Sequence, residues 1–116
     1  MKEGDMNMEL QVAIDEAFTQ AQHELRARHS AAALVWLERA HILTQRRPWL
    51  HARSHWLMLQ AGWQLGDLRE VLGQIPRILA ALLFSRIWVP IGNTGRARIS
   101  AFQPMPMSEE LRRLLE

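Results

Sequence analysis

The sequence predicts an all-α protein, built from antiparallel pairs of about four to five helices and followed by an extended C-terminal tail. Three observations carry that expectation. Ala, Leu, Gln, Glu and Arg, all good helix formers, dominate as far as about Trp88. Apolar residues recur at spacings of three and four rather than two. Stop and start signals then cut the chain at Ser30, at Pro48 and at Gly66-Asp67. With 116 residues and no internal linker, residues 1–116 are expected to form a single domain large enough to bury most of its unfolded surface.

The first helix is expected near 8–28, where Leu10, Ile14, Ala17, Phe18, Ala21 and Leu25 form the inward stripe and His23 faces solvent. Ser30 is the expected N-cap of a second helix near 30–44, with Ala33, Trp36, Leu37, Ala40 and Leu43 on one face. "TQRRPWL" breaks it, and Pro48 suits the first turn of a third helix near 48–65. Gly66 supplies the stop and Asp67 the cap of a fourth helix near 67–88, which Pro76 is expected to kink or divide by removing a backbone donor. From 89 to 107 Pro90, Gly92, Asn93, Gly95, Pro104 and Pro106 punctuate a turn-rich tail. Its Ile91, Ile99, Phe102, Met105 and Met107 are expected to dock on the helices. Ser108, followed by two glutamates, starts a short last helix over 108–115.

Ala21, Ala33 and Ala40 stand 12 and 7 residues apart, the spacing of the small positions in tetratricopeptide repeats. "GDLREVL" at Gly66–Leu72 reads as the start of a second, looser unit. A tetratricopeptide-like helical array is therefore expected over a four-helix bundle. A non-enzymatic interaction module, homo-oligomeric or with a protein partner, goes with that reading.

Composition narrows the function classes. Cysteine is absent, which removes disulfide, thiolate and Cys-zinc chemistry and suits a reducing, cytoplasmic setting. "MKEGDMNMEL" has acids where a secretory signal needs a basic start and an apolar run. The most apolar window, Ile78–Ser85, holds eight uncharged residues against the roughly 20 of a membrane span. Net charge is +2, with 13 arginines and one lysine. Val71–Ser108 contains no acid but has Arg77, Arg86, Arg96 and Arg98, a field that attracts anions. Without basic runs interleaved with aromatics, nucleic acid is not the expected partner.

The chemistry lies in "HARSHWLML", where His51 and His55 are four residues apart. A helical wheel sets Arg53, Gln60 and Gln64 on a narrow polar arc expected to face water, and His51, His55 and Met58 opposite it, inward. Buried imidazoles need partners. On the second helix, Glu38-Arg-Ala-His41 would be brought to them by antiparallel pairing across the Thr44–Trp49 turn. His41, His51 and His55, with Glu38 as a fourth candidate, are thus proposed ligands for a divalent transition metal: zinc, iron, copper or nickel. Two alternatives stay open: histidines satisfied by carbonyls, one another or water, and a pH-sensitive hydrogen-bond cluster. A single Glu-x-x-His disfavours a two-iron site, and His-x-x-x-His lacks the glutamate of a metalloprotease. No Ser/His/Asp triad can be assigned.

Three further patterns have bland readings. Trp49, Trp56 and Trp63, seven apart, are expected as core packing. Met1, Met6, Met8, Met105 and Met107 suit copper(I) but lack a repeated motif. Asn93, Thr94 and Gly95 with Arg96 or Arg98 offer a turn for an anion, although such turns are mostly structural.

"LERAHILTQ" at Leu37–Gln45, "HARSHWLML" at His51–Leu59 and "GNTGRARISAFQPMP" at Gly92–Pro106 together resemble a bacterial family of unknown function, number 3703 among such domains. The resemblance spans nearly the whole chain and implies no activity. It implies that His41, His51, His55 and the Asn93-Thr94-Gly95 turn belong to the family pattern. Thr44 departs from it, standing where that pattern has a glycine.

Overall fold

The computed structural model describes the backbone of residues 3–116, with side chains from Met8 onward. These residues form five helices and no strand: α1 (Glu3–Arg26), α2 (Ser30–Thr44), α3 (Pro48–Leu65), α4 (Leu68–Phe84) and α5 (Glu109–Leu115). Successive helices pack on one another, α1 on α2, α2 on α3 and α3 on α4, while α5 closes against α1 and α2. This is the expected helical array. None of the described helices is long and apolar enough to cross a membrane.

The core forms where α1, α2 and α3 meet. Ile14, Ala17, Phe18 and Ala21 of α1 pack with Ala33, Leu37 and Ala40 of α2 and Leu57, Met58 and Ala61 of α3. Ala21, Ala33 and Ala40 are fully buried; their lack of bulk lets the helix axes approach closely. Thr44 ends α2 with its hydroxyl bonded to the Ala40 carbonyl, 2.7 Å.

Several boundaries differ from expectation for identifiable reasons. α1 stops at Arg26 because Arg28 turns left-handed (φ 61°) and the His29 amide reaches back to the Glu24 carbonyl at 2.8 Å. That closure normally uses glycine, and no glycine marks it here. Ser30 is not the cap of α2. His29 holds that position without a side-chain bond, and the Ser30 hydroxyl instead donates to Gln64 Oε1 on α3, 2.6 Å. Gly66 (φ 71°) does close α3, and Asp67 accepts from the Glu70 amide to cap α4. α4 runs through Pro76 without division. It ends at Phe84 rather than near Trp88, with turn bonds from Ile87 and Trp88 back to the Phe84 carbonyl.

Two faces are reversed. Trp49, Trp56 and Trp63, expected in the core, are 51–76% exposed. The Arg53–Gln60–Gln64 arc, expected in water, is half-buried: Arg53 lies over the Phe18 ring at 4.5 Å, and Gln64 bonds Ser30 and the Leu25 carbonyl. α1 lies along that arc and leaves the tryptophan line uncovered. On α4 the polar residues turn inward. Glu70 and Gln74 are essentially fully buried, whereas Leu68, Leu72, Ile75, Leu79, Leu82 and Leu83 are 40–67% exposed.

The tail docks by polar clamps more than by its apolar residues. Ile91 and Phe102 are exposed, and Ile99, Met105 and Met107 are half-buried. Gln45 accepts from the Gly92 amide and donates to the Pro90 carbonyl, both at 2.9 Å. The buried Asn93 amide donates to the carbonyls of Ser100 and Gln103, both at 2.8 Å, and its oxygen accepts from the Gly95 amide. Arg77 reaches the Ile99 carbonyl at 2.9 Å.

Candidate metal centre

α2, α3 and α4 each present an inward polar position at one level, and the tail closes over them. From α2 comes His41; from α3, His51 and His55, one turn apart; all three are buried. Their ring centroids lie 4.6, 4.7 and 4.9 Å from one another. His51 Nε2 is 2.9 Å from His41 Nε2 and 3.2 Å from His55 Nε2. The inward orientation read from the helical wheel therefore holds, and three imidazoles converge through the same nitrogen.

The other nitrogen of each ring has its own partner. His41 Nδ1 lies 2.7 Å from the Asn93 carbonyl, His55 Nδ1 2.6 Å from Gln74 Oε1, and His51 Nδ1 2.7 Å from the Ser85 hydroxyl. Gln74 is oriented by its surroundings, because its NH2 donates to the Gly95 carbonyl at 2.9 Å and to Glu70. Its oxygen must therefore face His55. A carbonyl and an amide oxygen can only accept, so His41 and His55 carry their protons on Nδ1 and leave Nε2 bare. Ser85 sets the third tautomer. With its hydroxyl donating to the Ala81 carbonyl, a bond the geometry provides, it accepts from His51 Nδ1 and all three Nε2 atoms are lone pairs pointed at one another. Rotated toward His51, it leaves one proton on His51 Nε2 to bridge the trio.

Burial disfavours the charged imidazolium at each ring. It is the leading cause that lowers His51 to about 4, with the Gln45 carbonyl opposing. Burial and then His51 lower His55 to about 3, against the Gln74 bond. His41 falls well below 6.5 through burial and its two histidine neighbours, opposed by the Asn93 carbonyl. At neutral pH the cluster is uncharged and holds lone pairs ready to donate.

Gly95 is fitted to this site. Its φ of +85° lies in the region glycine favours, and a Cβ there would sit 2.7–2.9 Å from His41 ring atoms. A cavity of about 390 Å³ opens against the three rings, walled by α4 residues including Ala80, Ala81 and Phe84 and by Trp88 and Phe102.

The remaining sequence candidates lie elsewhere. Glu38 does not join the histidines: its carboxylate bonds Arg96 at 3.0 Å, because its position on α2 leans away from His41 toward the tail. The three histidines alone make the cluster of potential metal-binding groups found among the described residues. In the tail turn, the donors considered for an anion meet the chain's own carboxylates. Arg96 Nε and the Ala97 amide bond Glu70 at 2.7 and 2.9 Å, Arg98 pairs with Asp67, and the Gly95 amide bonds Asn93. Thr94 Oγ1 is buried without a partner. Met1 and the side chain of Met6 lie outside the described residues; Met8 is exposed, and Met105 and Met107 are half-buried in the tail. Gln74 and Ser85, which hold the rings, were not singled out from the sequence. Their signal was faint: Glu70, Gln74, Arg77 and Ser85 are polar residues on the face of α4 opposite its leucines, with the small Ala81 between them.

Fold and site together define a small all-helical protein built around a buried three-histidine centre. A family match accompanies that class: the chain belongs to the family described as "Protein of unknown function (DUF3703)", which matches it over residues 8–115. No curated protein and no solved structure matches it.

Proposed function

We propose that the protein binds one divalent transition metal through Nε2 of His41, His51 and His55. The observation that carries this is the pairing of converging Nε2 atoms with acceptors on the Nδ1 side. Metal-bound histidines characteristically donate their second ring N–H to a carbonyl or carboxylate, which fixes tautomer and orientation. With metal–nitrogen bonds of about 2.0–2.1 Å, the Nε2 separations of 2.9 and 3.2 Å correspond to N–metal–N angles of roughly 90° and roughly 100°. Three neutral imidazoles suit zinc, copper, nickel or iron, with copper(II) tightest on intrinsic affinity. Such a set leaves coordination positions free on the cavity side. We assign no reaction to it, since no general base is placed there. A cysteine-free composition supports a reducing, cytoplasmic setting.

The test is metal analysis of protein purified without an affinity tag, beside a His51→Ala/His55→Ala double variant. About one equivalent is expected in the parent and none in the variant; equal, near-zero contents after exposure to each of the four metals would end the proposal.

A second reading, an interaction module that pairs with its own copy, is favoured by the outward apolar stripe of α4. Leu68, Leu72, Ile75, Leu79 and Leu82 follow alternating spacings of four and three, the seam of a helix–helix contact. Antiparallel pairing about Ile75 brings Leu68 near Leu82 and Leu72 near Leu79 of the other copy. Light scattering should then report a dimer that Leu72→Glu with Leu79→Glu converts to a monomer. A monomeric parent protein at high concentration rules this out.

A further inference from the structure

The cavity beside the histidines has a particular chemistry. Its walls are apolar, with Phe84, Ile87, Trp88 and Phe102 exposed around the mouth. The polar side chains that reach it are already engaged: Asn93 with three tail groups, and Ser85 with His51 and Ala81. Among the described residues no carboxylate lines it; Glu70 stands behind Gln74, neutralised by Arg96. Arg77 does line it, half-buried, with one bond each to the Gly73 and Ile99 carbonyls. Five N–H donors on a guanidinium leave others unspent.

A divalent ion on three neutral imidazoles keeps its full charge, and Arg77 adds to it. An apolar pocket carrying net positive charge at its base selects one kind of small molecule. We infer that this cavity is the binding site for a small monocarboxylate with an aliphatic or aromatic body, its carboxylate on the metal and beside Arg77 and its apolar body among Phe84, Trp88 and Phe102. This rests on the metal reading above and adds the ligand class. The mouth aromatics, 54–77% exposed, acquire a purpose: they cover the ligand's body. The apolar wall excludes highly charged anions such as phosphate, whose remaining oxygens would lie against carbon without donors.

The experiment uses the full-length protein loaded with one equivalent of cobalt(II), whose visible absorption reports coordination. Acetate, butanoate, hexanoate and octanoate are titrated in turn, with hexylamine as the cationic counterpart. Affinity is expected to rise about fourfold per methylene until the cavity is filled, with a change in the cobalt spectrum, while hexylamine leaves the spectrum unaltered. Ala80→Glu, at an exposed helical position on the cavity wall, should weaken hexanoate roughly tenfold by charge repulsion. Arg77→Met should also weaken it. A protein that gives no bound-cobalt spectrum overturns this inference, and one that in addition takes up none of zinc, copper, nickel and iron removes the metal reading with it. A protein that gives the cobalt spectrum but binds hexanoate no better than acetate, or hexylamine equally well, overturns the ligand inference alone.

Discussion

Replacing Gln74 by leucine tests how the centre is held. Gln74 is fully buried, accepts from His55 Nδ1 at 2.6 Å and donates to the Gly95 carbonyl at 2.9 Å. Leucine fills a similar space without polar atoms, so it strands the His55 N–H and the Gly95 oxygen. Each stranded buried group costs about 1–3 kcal/mol, so the two together give an expected loss of about 2–6 kcal/mol. A typical domain has about 5–15 kcal/mol in hand, and the variant should remain folded. Urea unfolding in the presence of a chelator measures that loss on the metal-free protein. Competition with a chromophoric chelator measures metal affinity, which should fall about 10–100-fold, as for other outer-shell partners of ligating histidines. Unchanged stability would refute the hydrogen-bond network. Lower stability with parent-like metal affinity would refute the claim that Gln74 aims His55 at a metal.

Metal-free stability should depend on pH in a defined direction. Between about 6.5 and 4 the unfolded chain binds protons at His51 and His55 that the folded chain refuses, so stability is complete above 6.5 and declines as pH falls. His51 alone accounts for about 3 kcal/mol of this; urea midpoints at pH 7.5, 6 and 5 check it, and a flat profile contradicts it. Gly95→Ala should cost about 1–3 kcal/mol from its backbone conformation alone and weaken metal binding by pressing on His41, both read by thermal unfolding with and without metal. Arg96→Met leaves the buried Glu70 carboxylate without its cation and should destabilise by about 2–4 kcal/mol; denaturation no different from the parent would show that the tail is held by other means.

What was legible in the sequence was local periodicity. The α1 stripe, the inward pair His51 and His55, and the Gly66-Asp67 junction follow from spacing and cap chemistry over a few residues. The wheel located the opposite side of α3 correctly but could not say which neighbour would cover each flank. α1 takes the Arg53–Gln64 side, so the tryptophans were left to solvent. α4 shows the same limit more sharply. Its leucine stripe would be taken for a core face by periodicity, yet Gln74 and Ser85 must face inward to hold the histidines. The clamps that seat the tail, from Gln45, Glu70 and Arg77, join residues 22 to 47 positions apart. No short-range pattern records such pairings. Glu38 illustrates the reverse error: one turn from His41 in sequence, it is drawn aside by Arg96, itself 58 residues away.

The most direct measurement is long-range proton–nitrogen NMR of the imidazoles, recorded before and after one equivalent of zinc. His41 and His55 are expected to be Nδ1–H tautomers throughout, and zinc should shift the Nε2 resonances of His41, His51 and His55 together while Nδ1 stays protonated. Zinc that leaves these three rings unmoved, or a proton found on Nε2 of His41 or His55, contradicts the account.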